Sequence, residues 1–189
     1  MDPPPGRSGD VNEAIAERAP ALSREAPAET FASLYERTFP KVYAYVGSLL
    51  RDPTAAEDVT AQAFERAYRR RRSYRASRGT PEAWLFGIAR NAALDELRRR
   101  RRRARLEADP EDVAAPSADD HAQLSLRRQA VRTALATLDD RERDIVALKF
   151  AGGLSHAEIA RVLGLSESNA GTRLHRTITK LREACHERG

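Results

Sequence analysis

The segment from Ser155 to Arg182, SHAEIARVLGLSESNAGTRLHRTITKLR, limits the fold more than any other part of the chain. Ser155 and Glu158 stand three apart in capping-box form, and Ile159, Ala160, Val162 and Leu163 follow at once as an apolar set. Gly164 tolerates the left-handed conformation that ends helices, Leu165 can tuck into the angle, and Ser166 can cap a second helix. In that helix Ala170, Leu174, Ile178 and Leu181 fall at spacings of four, four and three, an inward stripe. Ser168, Asn169, Thr172, Arg173 and Arg176 are left on other faces, and theirs are base-edge and phosphate chemistries. Two helices about a tight break, the second more basic, read as a helix-turn-helix. A plain pair of amphipathic helices is the alternative. It does not require the small Ala160 four residues before Gly164, where two helices must approach closely.

Composition extends this to the whole chain. Abundant Ala, Leu, Arg and Glu, with only 10 glycines in 189 residues, favour helix throughout, and 41% apolar with 32% charged residues suits two small cores better than one large one. The expected fold is all-α, two small helical domains joined by a flexible acidic linker. A net charge of +5 is a weak sign of a polyanion partner, but the charge is sorted into blocks. From Arg69 to Arg105 fourteen arginines stand against Glu82, Asp95 and Glu96, a net of +11, whereas Glu107 to Asp120 holds six acids and no base. Cys185 is the only cysteine, which excludes an intrachain disulfide and a cysteine-based zinc site and suits a reducing compartment. There is no long apolar span, and the N-terminal MDPPPGRSGD is polar and Pro-rich, so a cytoplasmic protein without membrane insertion is expected.

Along the chain, residues 1–29 lack an apolar period and are expected to form a disordered extension with no assigned function. A first domain is expected over 30–105. Phe31, Leu34, Tyr35, Val42, Tyr45, Val46 and Leu49 mark either a helix pair or one helix kinked at Pro40. Thr54 is placed to cap the next helix, with Glu57 and Asp58 at its positive end and Val59, Phe64 and Ala67 facing inward. The stretch SYRASRGTP reads as a loop in which Tyr74, Arg75 and Arg78 could stack on bases and hold phosphates, although a tyrosine packed on a neighbour is the default for such a loop. Thr80 and Pro81 start a third helix, with Trp84, Ile88, Ala92, Leu85 and Ala89 as its buried strip. Asn91, Asp95 and Arg98 share a neighbouring face, as ligand readers or as mutual salt bridges. The run Arg98 to Arg103 calls for phosphates, and with no apolar face beside it a lipid surface ranks lower.

Residues 106–121 read as an acidic linker, and 122–186 as a second domain of four helices. There Leu124, Arg128, Val131, Leu135 and Leu138 trace one helix, Asp139 with Glu142 resembles a second capping box, and Ile145, Val146, Leu148 and Phe150 form the next helix. No catalytic constellation, glycine-rich phosphate loop or metal cluster is present, so neither an enzyme nor a cofactor is expected. A ligand-responsive DNA-binding regulator and a protein-binding adaptor are the competing classes. The first lacks a sensing pocket or zipper in its pattern, and the arginine block would be a poor surface for the second.

The segments LYERTFPKVYAYV, AEDVTAQAFERAY, WLFGIARNAALDELRRR and LSHAEIARVLGLSESNAGTRLHRTITKLR, in this order over about residues 30 to 183, resemble regions 2 and 4 of an extracytoplasmic-function (ECF) sigma factor of bacterial RNA polymerase. The resemblance implies a non-catalytic subunit that binds core polymerase, recognises the minus-10 and minus-35 promoter elements and helps open the duplex. It implies polymerase contacts through Glu57, Asp58 and Gln62, and minus-10 recognition of single-stranded DNA through Tyr74, Arg75, Arg78, Arg90, Asn91, Asp95 and Arg98. It further implies minus-35 recognition of duplex DNA through Ser168, Asn169, Thr172, Arg173 and Arg176, and the family commonly has an anti-sigma factor that occludes both domains. By analogy the linker would thread near the polymerase active site, although a plain tether explains the same composition. The chain departs from the family pattern at Ala61, where many members carry Gln, and at Ala170-Gly171, where members often have a β-branched residue and then Lys or Arg. Gly171 implies either close backbone approach to DNA or weaker minus-35 binding.

Overall fold

Burial of one face decides the first helix against its own proline. In the computed structural model, which describes residues 30–106 and 122–186, α1 runs unbroken from Phe31–Leu50 through Pro40. A proline inside a helix costs ~3 kcal/mol or more. Leu34, Val42, Tyr45, Val46 and Leu49 are all buried on one side, and at roughly 1.5–3 kcal/mol for each large apolar side chain that burial outweighs the lost backbone bond. Pro40 itself faces solvent. Thr38, buried two residues before it, is satisfied by donating its hydroxyl to the Leu34 carbonyl at 2.5 Å.

Helix α2, Pro53–Arg70, begins two residues earlier than the sequence reading has it. The cap is Asp52, whose carboxylate accepts the Ala55 N–H at 3.1 Å, and Pro53 takes the first helical position, where a missing donor costs nothing. Thr54 therefore lies inside the helix. Two short 3-10 turns, Arg71–Ser73 and Ala76–Arg78, lead to α3, Pro81–Leu106, and Thr80 caps α3 by accepting the Ala83 N–H at 3.2 Å. The fully buried strip of α3 is Leu85, Phe86, Ala89 and Ala93, while Trp84 and Ile88 are only partly covered. Its buried face is wider than the expected one because α3 packs on α1, α2 and α6 together.

Four helices follow: α4 (Ala122–Ala136), α5 (Asp140–Phe150), α6 (His156–Leu163) and α7 (Glu167–His186). Asp139 with Glu142 and Ser155 with Glu158 both form the reciprocal capping boxes expected of them. Gly164 ends α6 at φ 67° and ψ 36°, and the Ser166 hydroxyl accepts the Asn169 N–H at 3.2 Å to start α7. Phe150, at the end of α5, is 67% exposed.

The two expected helical groups are present, α1–α3 and α4–α7, and they also pack on each other, α5 against α1 and α6 against α3. One hydrophobic cluster runs through both groups. Gly152 permits part of this contact, since a Cβ there would stand 2.6 Å from the Leu148 carbonyl oxygen and 3.1 Å from the Phe86 ring. The expected N-terminal extension, and the acidic linker beyond its first residue, lie outside the described residues.

Candidate nucleic-acid interface

The second helix of the helix-turn-helix presents one polar face. Ala170 and Leu174 bury the opposite side of α7, and Ser168, Asn169, Thr172, Arg173 and Arg176 are all exposed. Arg173 donates from Nε to Asn169 Oδ1 at 2.9 Å, so an amide and a guanidinium one turn apart are held as a unit. Thr177, buried beneath them, donates its hydroxyl to the Arg173 carbonyl at 2.9 Å. Gly171 lies on this helix with nothing within 4 Å of where a Cβ would be, so its lack of a side chain answers no packing demand within the chain. Beside this face a cavity of about 360 Å³ is walled by Arg173, Arg176, Arg90 and Asp144, among others.

The loop before α3 is built around its tyrosine. Tyr74 donates its hydroxyl to the Gly79 carbonyl at 2.8 Å, and its ring lies 5.7 Å from the Trp84 ring. The packing alternative is thus the one observed for Tyr74. Arg75 and Arg78 remain exposed on the same loop.

Along α3, Asn91, Asp95 and Arg98 are exposed, and Asp95 pairs with Arg98 at 2.9 Å and with Arg66 at 4.0 Å. The mutual salt bridge is therefore real, though both partners are too exposed for it to contribute much stability. Arg90 behaves differently. It is largely covered and donates from Nε to Asp144 of α5 at 2.7 Å. Asp144 takes the Tyr45 hydroxyl on its other oxygen, also at 2.7 Å. Burial first, and then the Asp144 carboxylate, push the Tyr45 phenol well above its ordinary pKa. Neither Asp144 nor Tyr45 was expected in a functional role. The available signal was an acid set directly before the apolar run Ile145, Val146, Ala147, Leu148, where a helix that buries the run buries the acid as well.

Glu57 and Asp58 are exposed near the start of α2, and Gln62 is half-buried one turn further on. Gln62 lines a groove of about 520 Å³ between α2 and α3, whose walls carry Arg66, Arg98, Arg99, Arg102 and Arg105. Acids brace this basic wall. Arg100 binds Glu96 at 3.0 Å and Asp52 at 2.7 Å, and Arg99 also pairs with Glu96. The Arg100 hydrogen bond is the largest influence holding the Glu96 carboxyl below its usual range. The arginine run is thus partly neutralised by its own helix, which relieves the like-charge repulsion that phosphates were expected to relieve. Among the described residues there is no cluster of three His, Cys, Asp or Glu suited to a metal, and no helix long and apolar enough to cross a membrane.

These two basic helical groups in series define a class. Residues 34–103 match sigma-70 region 2 and residues 128–181 match sigma-70 region 4, the two-part arrangement of an RNA polymerase sigma factor. Among similar proteins, the ECF RNA polymerase sigma factor SigK of Mycobacterium ulcerans (strain Agy99) is 31% identical over 186 residues, covering 96% of this chain and 97% of that protein. The SigK of Mycobacterium tuberculosis (strain ATCC 25177 / H37Ra) is 28% identical over the same length, with the same coverage. The chain belongs to the ECF sigma factors, which direct promoter-specific transcription by RNA polymerase. The fold resembles CnrH, solved in complex with the cytosolic domain of CnrY, at a TM-score of 0.61 and 28% identity over 84% of this chain and 89% of that one. It also resembles the sigma factor RpoE, solved with the anti-sigma factor NepR from Bartonella quintana, at a TM-score of 0.64 and 24% identity over 82% and 95% of the two chains.

Proposed function

We propose that this sigma factor divides promoter recognition between its two helical groups. α7 reads the minus-35 element in the major groove through Ser168, Asn169, Thr172, Arg173 and Arg176. The 73–80 loop and α3 grip the opened minus-10 strand through Tyr74, Arg75, Arg78, Arg90, Asn91, Asp95 and Arg98. Glu57, Asp58 and Gln62 contact core polymerase, Gln62 from the groove beside the arginine wall. The observation that carries this reading is the exposed Asn169–Arg173 pair on a helix started by its own cap, since a fixed amide and guanidinium suit adenine and guanine edges. An anti-sigma partner is part of the proposal; the likeness to CnrH, which was solved in complex with a second protein, the cytosolic domain of CnrY, supports a protein partner.

The test is reconstitution of the full chain with bacterial core polymerase on a library of randomised promoters, with transcript starts read by sequencing. Enrichment of two spaced sequence elements upstream of defined starts supports the reading. Starts that do not depend on the added chain would overturn it.

A further inference from the structure

We infer that Asp144 is an internal anion that occupies Arg90 in the free chain, so that the α4–α7 helices shut off part of the DNA-gripping surface of α1–α3. The inference rests on the assignment of Arg90 to the minus-10 set. Among the described residues three polar bridges cross between the two groups, and they are not equal. Arg101 meets Asp140 at 2.6 Å, but both side chains are more than 60% exposed, which makes that pair nearly worthless as a clasp. Thr80 donates its hydroxyl to Glu158 at 2.5 Å, at the surface. Asp144 alone is buried, with one oxygen on Tyr45 of α1 and the other on Arg90 of α3, and its chain neighbour Ile145 belongs to the hydrophobic cluster both groups share.

A buried carboxylate is costly unless its partners stay in place, and both of these partners belong to the opposite group. Asp144 therefore ties closure to possession of Arg90. A carboxylate and a phosphodiester offer a guanidinium the same chemistry, two anionic oxygens in line with its N–H groups. While Asp144 holds the Nε donor, a DNA phosphate cannot take it in the same geometry. Binding DNA through Arg90 and staying closed thus compete, and a strand that wins Arg90 leaves Asp144 buried with half its partners.

The experiment uses the full chain and its Asp144→Asn variant, in which the amide oxygen still accepts the Tyr45 hydrogen bond while the charge is gone. Small-angle scattering reads the dimensions, and anisotropy reads binding to a random-sequence single-stranded DNA oligonucleotide. Glu36→Gln, the same charge change on the exposed face of α1, controls for net charge. Asp144→Asn is expected to expand the particle and to bind about fivefold more tightly, a modest coupling between sites. That gain is expected to vanish in Asp144→Asn/Arg90→Ala. If the asparagine variant loses helix content, Tyr45→Phe, which keeps the ring and removes one partner of Asp144, decides the matter with a smaller gain of the same sign. Unchanged dimensions overturn the closure, and an expanded particle whose gain survives loss of Arg90 overturns the masking. The minus-10 assignment is judged apart from this, in assembled holoenzyme: an Arg90→Ala subunit that opens promoters as well as the parent removes Arg90 from the DNA-binding set.

Discussion

Arg173 is held by Asn169 before any DNA arrives, so its guanidinium reaches the groove already oriented. Arg173→Ala in holoenzyme is expected to lose discrimination between a selected minus-35 element and a mismatched one, by about 1–3 kcal/mol in competition binding. Equal losses on specific and random DNA would reduce the residue to a phosphate contact. Gly171 allows a second test. No atom stands near its missing Cβ, so Gly171→Ala is expected to stabilise the chain by up to ~1 kcal/mol in thermal melts. If minus-35 affinity falls in the same variant, the glycine serves close backbone approach to DNA. If affinity holds or rises, the glycine only weakens the helix. The Thr60 hydroxyl is buried in α2 without a partner among the described residues, and Thr60→Val should add roughly 1 kcal/mol in the same melts.

Helix starts were the most legible elements, because a cap is a local interaction between residues two or three apart. Both capping boxes, the Gly164 stop, the Ser166 start and the Thr80 start stand where the sequence puts them. The Asp52 start of α2 was missed for an equally local reason, since Pro53 at the first helical position moves the cap one residue before the proline. Pro40 left a helix pair and a single helix both open, and the single helix is the one observed. Its helix is decided by burial against α2 and α3, which lies outside any local window. The caps also set an acid limit. Burial pushes the Glu158 carboxyl up, but the Thr80 and Ser155 hydrogen bonds outweigh it and hold the group below its usual range. The Glu142 backbone N–H does the same for Asp139. A carboxyl depressed in the folded state binds protons more readily when unfolded, so its stabilisation is complete above the usual carboxylate range and is lost as pH falls through the depressed values. Melting temperature is expected to be flat from neutral pH down to about 5 and to drop below about 4, and Glu158→Gln should shrink that drop.

At the scale of the whole molecule, what the sequence could not show is the closure. Tyr45 and Asp144 are 99 residues apart, and no periodicity links a phenol on the first helix to a carboxylate on the fifth. Residues on the candidate DNA face were legible because exposure follows from the pattern of their own helix. Arg90 was placed with that face by the resemblance, and its partner in the fold comes from another group. Gly152→Ala probes the same contact through packing: its Cβ would press on the Phe86 ring of α3 as well as on the Leu148 carbonyl of its own group, and a loss of about 1–3 kcal/mol is expected in denaturant titrations. Glu158 bears on what stays intact when the closure comes apart. It caps α6 through Ser155 and reaches Thr80 with its other oxygen, so separating the groups removes only the second of these bonds. The helix keeps its start, and Thr80 keeps its hold on the Ala83 N–H. Parting therefore needs no local melting. It should run at the microsecond-to-millisecond pace of domain motion rather than at the slower pace of unfolding, quickly enough that encounter with polymerase and DNA, not rearrangement, sets the tempo of assembly.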